Sequence, residues 1–391
     1  MRLVKLPAMS LQPGMFIAEL DRPWLETPFA LQGFVVRDSN EILYVSRYVD
    51  HVYVDADYLG TRQHLSLCTE PTHRPPRERL ELKADMQAAK VCFENAAAAL
   101  DTVFDSLRAG RESDIQSVQE AINPLIKTIF RNQEATAALV RLKESGDYRF
   151  EHGVSMAVWA AILGRQIGLP ADDLETLALG CALSDVGMTQ LPQQLLHHTE
   201  ALDDSQRRIV RAHPAMGSEL LAESSRINFE VLAIVENHHE RLDGSGYPRG
   251  VEGAAIPLLA RIAGLVDTYD AMIKPRPWAT ARTSHDAVQE LIDAKDVLFQ
   301  GALVEQFIQA IGLFPTGTLV ELNSGEVGIV TRQNQTRRLK PEVVVVLDRE
   351  RERLDAVEIL DLANQSPDQE RWITRELLPG SFGVDSEEYF L

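Results

Sequence analysis

Cysteine is scarce in this chain. There are three in 391 residues, Cys68, Cys92 and Cys181, and they are widely spaced, odd in number and without a CxxC pattern. That argues against a disulfide framework and for a reducing compartment. Long apolar runs are also missing: none reaches the ~18 residues of a membrane span. The opening MRLVKLPAMSLQPGM lacks the apolar stretch of a signal peptide, so the expected location is the cytoplasm. Positive charge is the third shortage. Lys and Arg number 39 against 58 Asp and Glu, a formal charge of −19, which argues against DNA or RNA partners because phosphate-backbone binding needs clustered cations. A small anionic ligand stays open if metals or a few local cations hold it. Core material is not lacking, since apolar residues are 45% and charged residues 25%, ordinary for a globular protein. The length exceeds the ~100–200 residues of one domain, so two or three are expected.

The pattern along the chain divides accordingly. Short β-rich bursts, GFVV at 33–36, EILYV at 41–45 and HVYVD at 51–55, with DSN at 38–40 as a turn, predict a small N-terminal α+β or β domain over residues 1–66. The proline-rich TEPTHRPPRE at 69–78 reads as a linker. Apolar residues at three- and four-residue spacing from Met86 to Leu107 and from Ile115 to Phe130 predict a helical hairpin. Ser113 and Gln116 would form a capping box between its arms. Linker and hairpin together make a connector over 67–146 that leaves room for a homodimer surface. Residues 147–312 read as further helices. From 313 to 391 the texture is β-rich, with Asn323-Ser324-Gly325 as a hairpin turn and the last ~25 residues as an acidic, loosely packed tail. The fold class is therefore mainly α, a helical core between a small N-terminal α+β/β domain and a short β-rich C-terminal extension.

Six polar residues of the helical block sit where an amphipathic helix or its end would turn inward. They are His152 in YRFEHGVSMAV, Asp185 in ALSDVGM, His213 in RAHPAMG, His238 and His239 in NHHERLDG, and Asp267 in AGLVDTYDAM. Each alone has a bland reading as a structural or surface residue. Asp185, however, follows LALGCAL into a buried region, where an unpaired carboxylate is costly enough to demand a cation. Imidazoles with bridging carboxylates suit a divalent transition metal such as Mn, Fe, Zn or Ni, and two such ions ~3.5–4 Å apart clamp a phosphodiester. His197-His198 and His285-Asp286 are read as solvated or helix-opening residues.

The ordered set His…D…HP…HHE…DGSGYP…D resembles the HD-GYP family, a branch of the HD phosphohydrolases that hydrolyses the second messenger cyclic di-GMP. The likeness is carried by residues 147–312. LDRPWLETPFALQGF resembles the small domain often ahead of HD-GYP modules, and GTLVELNSGEVGIV their C-terminal extension. It implies an HD-type helical bundle in which Asp185, His213, His238 and His239 hold one metal tightly, while His152 and Asp267 contribute to a second, weaker one. Asp185 would orient the attacking water and Arg276 would hold phosphate. Adjacent histidines diverge by ~100° on a helix, so both reach one region only where the helix ends. Asp243, Gly244, Gly246, Tyr247 and Pro248 supply that ending. Gly244 and Gly246 permit positive φ, and the loop displays Tyr247 and Pro248 for substrate or for a diguanylate cyclase domain, a partner that the resemblance implies.

The chain departs from the family at three positions. Ser184 stands where the family has the histidine of HD, Met188 where it has lysine, and Ala279 where a basic residue often follows Arg-Pro-Tyr. A serine hydroxyl is a poor ligand beside imidazole, and one lost electrostatic donor commonly costs ~2.7–4 kcal/mol of transition-state stabilisation. The expected activity is a weakened cyclic di-GMP phosphodiesterase. The rival is a degenerate module that binds nucleotide or protein through the GYP loop. A mononucleotide-cleaving HD enzyme is a third reading, disfavoured because the GYP loop is not part of that pattern.

Overall fold

The computed structural model describes residues 3–22, 34–36, 39–55, 78–142, 148–196, 202–222, 227–275, 280–334, 339–365 and 370–389. The N-terminal segment forms a four-stranded antiparallel sheet from β1 (Leu3–Pro7), β2 (Phe16–Leu20), β3 (Phe34–Val35) and β4 (His51–Asp55), in the order β1-β4-β2-β3. Its buried residues, among them Ile17, Val52 and Val54, form a core of their own. The EILYV stretch expected as a strand is instead part of helix α1 (Ser39–Val45). Its burial explains this: Ile42 and Val45, three residues apart, face the core while Leu43 and Tyr44 are exposed. That is a helical period, and β-prone residue types did not override it.

Two helices follow, α2 (Glu78–Arg108) and α3 (Ile115–Arg131). The buried set of α3, Ile115, Val118, Ile122, Leu125, Ile126 and Ile129, is one apolar stripe laid against α2. The predicted capping box is absent. Asp114 is the N-cap and makes no side-chain cap bond; Ser117 Oγ closes the turn by donating to the Asp114 carbonyl at 2.6 Å. Residues 69–77 of the proline-rich linker and His197-His198 lie outside the described residues, while Glu78, its last residue, opens α2.

The helical block continues through α4 (Gln133–Leu142), α5 (Tyr148–Gln166), α6 (Ala171–Ala182), α7 (Gln193–Leu196), α8 (Asp204–Val210), α9 (His213–Ala222), α10 (Phe229–Asn237), α11 (Leu258–Ile273), α12 (Ser284–Asp293) and α13 (Gly301–Ile311). Helix α5 is the axis of the bundle, packing against α2, α3, α4, α6, α11 and α13. Every residue from Val154 to Leu163 is buried, as a helix surrounded on all sides requires. Trp159 of α5, Tyr269 of α11 and Phe307 of α13 pack edge to face, with centroids 5.0–6.4 Å apart, and so lock these three helices together. No helix among the described residues is long and apolar enough to cross a membrane.

After α13 the chain forms an antiparallel sheet of β5 (Leu319–Leu322), β6 (Val327–Arg332), β7 (Glu342–Leu347), β8 (Arg353–Asp361) and β9 (Ile373–Leu377), in the order β8-β7-β6-β5-β9. Val343 and Val345 enter one apolar cluster, and Val344 and Val346 enter another with Met86 and Ala138 of the helices. A strand covered on both faces explains the unbroken PEVVVVLD run. The loosely packed tail is therefore a misreading. Within it β9 pairs with β5, and Val384 is buried against the helix-facing side of the sheet. Glu376 of β9, nine-tenths buried, accepts from the Ser284 and His285 amides at 3.0 and 2.9 Å and from Arg141 Nη2 at 3.2 Å. One carboxylate thus ties the sheet to the start of α12 and to α4.

Candidate metal centre

Five segments converge on one cleft. Helix α5 carries His152, the turn after α6 carries Asp185, α9 begins at His213, α10 ends just before His238 and His239, and α11 carries Asp267. Asp185, His213, His238 and His239 each offer a ligand atom within 4.8 Å of the others, the one such cluster among the described residues. The close approach depends on Gly187, since a Cβ there would lie 2.0 Å from the His213 carbonyl oxygen. Any side chain would push the Asp185 turn off α9.

The protonation pattern of these imidazoles shows what fits between them. His213 Nδ1 is 2.8 Å from the Val210 carbonyl and His238 Nδ1 is 2.8 Å from the Val235 carbonyl. A carbonyl only accepts, so both Nδ1 atoms carry the hydrogen and, in the neutral rings, both Nε2 atoms carry lone pairs. Those Nε2 atoms are 3.4 Å apart, and Asp185 Oδ1 is 3.3 Å from His213 Nε2. Three acceptors facing one another in a buried pocket need a cation. A proton is a poor candidate at His238, whose pKa is pushed down to about 4 by burial and by neighbouring His213. His239 is likewise held well below the usual histidine range by burial and by His238. Burial alone would raise the Asp185 carboxyl, yet the attraction of His213, His152 and His238 in their protonated forms outweighs it and holds the carboxyl well below the ordinary range, so this pocket stabilises the carboxylate beside any cation seated there. Neutral imidazole and ionised carboxylate are the forms that bind divalent metal, so the donor set fits one.

His152 and Asp267 lie beside this set. Asp267 Oδ2 is 3.4 Å from His239 Nδ1, and its Oδ1 is 3.1 Å from His152 Nε2. Asp270, not singled out from the sequence, is fully buried; its carboxylate meets His152 Nδ1 at 2.7 Å and accepts from Trp159 Nε1 at 2.9 Å. A carboxylate on Nδ1 fixes the tautomer that leaves Nε2 as the metal-facing atom. Replacing Asp270 by Asn should weaken divalent-metal binding by ~10–100-fold, the usual cost of losing such an outer partner. Equilibrium dialysis with Mn²⁺ measures this, and unchanged affinity would show that His152 needs no such support. Ser184, in the turn after α6, is buried and donates back to the Gly180 carbonyl of that helix at 2.9 Å. Met188 is half-buried in the turn below.

The glycine loop works differently from the expectation. Gly244 does take positive φ, +75°, but Gly246 is not among the positive-φ residues. It is needed for space, because a Cβ there would come within 2.5 Å of the His239 carbonyl. The loop folds back so that Tyr247 stacks on His239 with centroids 4.6 Å apart. Tyr247 thus lies over a site imidazole, and Pro248 follows it across a cis peptide. Asp243 closes the turn by accepting from the Ser245 amide and hydroxyl. Glu240, also missed, holds the far limb by accepting from the Arg249 and Val251 amides at 2.8 and 3.1 Å. Its signal was the E of HHE. Arg276 and Ala279 lie outside the described residues.

Comparison with known proteins agrees with this geometry. The HD domain family matches residues 128–303, and a domain of unknown function, DUF3391, matches residues 3–118. The cyclic di-GMP phosphodiesterase PA4108 of Pseudomonas aeruginosa is 29% identical over 88% of this chain and 85% of its own length. The response regulator RpfG of Xanthomonas campestris pv. campestris, also a cyclic di-GMP phosphodiesterase, is 33% identical over 44% of this chain; the chain spans about half of its length, 47%. Among solved structures, Bd1817, a HDG"Y"P protein from Bdellovibrio bacteriovorus, is 16% identical and superposes with a TM-score of 0.49, covering 78% of this chain and 98% of that one. The HD-domain match spans every donor of the cleft together with the HHE and DGSGYP motifs, so residues 128–303 carry an HD domain, and over it the chain is similar to cyclic di-GMP phosphodiesterases of the HD-GYP kind.

Proposed function

We propose that this chain hydrolyses cyclic di-GMP by metal-assisted cleavage of a phosphodiester. The observation that carries the reading is the set of facing lone pairs on Asp185, His213 and His238, joined by His239. Fe, Mn, Zn or Ni suits these nitrogen and oxygen donors, and at such a site supplies Lewis acidity and a water of lowered pKa. Asp185, ionised and 21% exposed, has the reach into the cleft to orient the attacking water. His213 and His238 are buried and serve as fixed donors. Tyr247 on His239 covers one side of the cleft against bulk water. The names of PA4108 and RpfG support the cyclic dinucleotide as substrate.

Turnover should be reduced relative to a cleft with a histidine at position 184. The Ser184 hydroxyl is spent on Gly180, which leaves His152 and Asp267 to hold a second, weaker ion beside the first. The test is hydrolysis of cyclic di-GMP by the full chain with Mn²⁺ or Fe²⁺. Asp185→Asn should lower the rate by at least ~100-fold while the protein still folds, in the range of a lost charge-stabilising group. Tight cyclic di-GMP binding with no measurable cleavage at two bound metals would overturn the enzymatic reading in favour of a binding module.

A further inference from the structure

The chain is strongly acidic, yet three arginines cluster beside the cleft. Arg207 and Arg208 are in the last turn of α8 and Arg211 is its C-cap. With Asp204 they line a cavity of about 420 Å³, within the size range of small-molecule sites. The Arg211 guanidinium lies over the Tyr247 ring at 5.3 Å from its centroid, on the tyrosine that stacks on His239. The cavity is thus joined to the metal donors through a single aromatic ring.

The cluster has a cost. Arg207 and Arg211 are four apart and Arg208 and Arg211 three apart, spacings at which like charges repel on a helix. One favourable cation at a helix C-terminus would satisfy the macrodipole; three exceed that need. Their compensation within the protein is thin. Asp204, 94% exposed, is 3.8 Å from Arg207, while Arg207 and Arg208 spend Nε on the carbonyls of Leu202 and Asp204. Arg211 has no carboxylate within ion-pair distance among the described residues. Apart from the long Arg207 Nη2–Asp204 contact, the terminal guanidinium nitrogens are turned to the cavity side of the protein where an anion can reach them, and planar forked donors match phosphate oxygens.

We propose that Arg207, Arg208 and Arg211 form a subsite for the phosphodiester of a cyclic dinucleotide that is not being cleaved. The inference rests on the proposed phosphodiesterase reading and assigns the second phosphate of that substrate a place. It predicts selectivity for ligands with two phosphates. The test is calorimetric binding to the full chain loaded with Mn²⁺, using cyclic di-GMP and, as a one-phosphate probe, GMP. Arg211→Gln and Arg207→Gln should each weaken cyclic di-GMP binding by about tenfold, typical of one charged hydrogen-bonding group. GMP affinity and metal content should stay within about twofold. Arg207→Gln leaves the Tyr247 stack untouched, so it separates phosphate binding from damage to the loop. Unchanged cyclic di-GMP affinity in both variants, with wild type binding and cleaving it, would overturn the subsite alone. Equal weakening for GMP would overturn it too, by placing the arginines at the cleaved phosphate. Wild type that neither binds nor cleaves cyclic di-GMP would remove the phosphodiesterase reading and the subsite together.

Discussion

Replacing His238 by Ala should weaken divalent-metal binding by more than ~100-fold, beyond the 10–100-fold that an outer-shell partner is worth. His238 Nε2 sits 3.4 Å from His213 Nε2, so its loss removes one of the converging donors. The stability signature is specific. A metal present at 100 times its dissociation constant adds ~2.7 kcal/mol to the folded state, so the variant should melt well below wild type in Mn²⁺. In chelator the difference should shrink or reverse, because the substitution relieves two lone pairs forced together. A second sign test uses pH on metal-free protein. The His238 pKa falls from 6.5 to about 4 on folding through burial and the nearby His213, so the unfolded chain binds the extra proton first. Wild type should lose stability as pH drops from 6.5 toward 4, and His238→Ala should lose less. Equal melting losses with and without metal would mean that His238 is a packing residue.

Glu376→Ala should destabilise the chain by ~3–5 kcal/mol, the usual cost of removing one partner from a buried ion pair. Glu376 and Arg141 have side chains only 3% and 10% exposed, so solvent cannot replace the missing charge. The Ser284 and His285 amides at the start of α12 also lose their acceptor. Glu376→Gln, which keeps an acceptor oxygen, should cost distinctly less. Pairing Glu376→Ala with Arg141→Met should recover part of the loss by removing the stranded cation. Urea unfolding of the four proteins decides it; a single-variant loss below ~1 kcal/mol would show that water reaches the pair as it reaches surface bridges.

These two sites differ in how far the sequence foretold them. Asp185, His213, His238 and His239 were named from their chemistry and family likeness, and a break in α10 beside HHE was legible because adjacent histidines cannot share a direction on a regular helix. Asp270 was not legible. It follows Asp267 by three residues and looks like an ordinary exposed acid until α5 and α11 pack and bring it against His152, 118 positions away. Glu376 stood in a tail without clear periodicity, and its strand exists because β5 offered an unpaired edge.

What the sequence determined by itself was local: the apolar stripe of α3, the alternating and then continuous valines of the C-terminal sheet, the glycines that permit a tight turn, and donor types suited to a divalent metal. These follow from side-chain chemistry and from periods of 3.6 and 2 that hold wherever the segment lies. Tertiary structure alone decided that EILYV turns as a helix, that Gly246 is required for space and not for its φ, and that Arg211, capping the end of α8, lies over Tyr247. The reason is physical. Each depends on which distant surface closes over the segment, and the free energy of that burial is set by contacts between residues far apart in the chain.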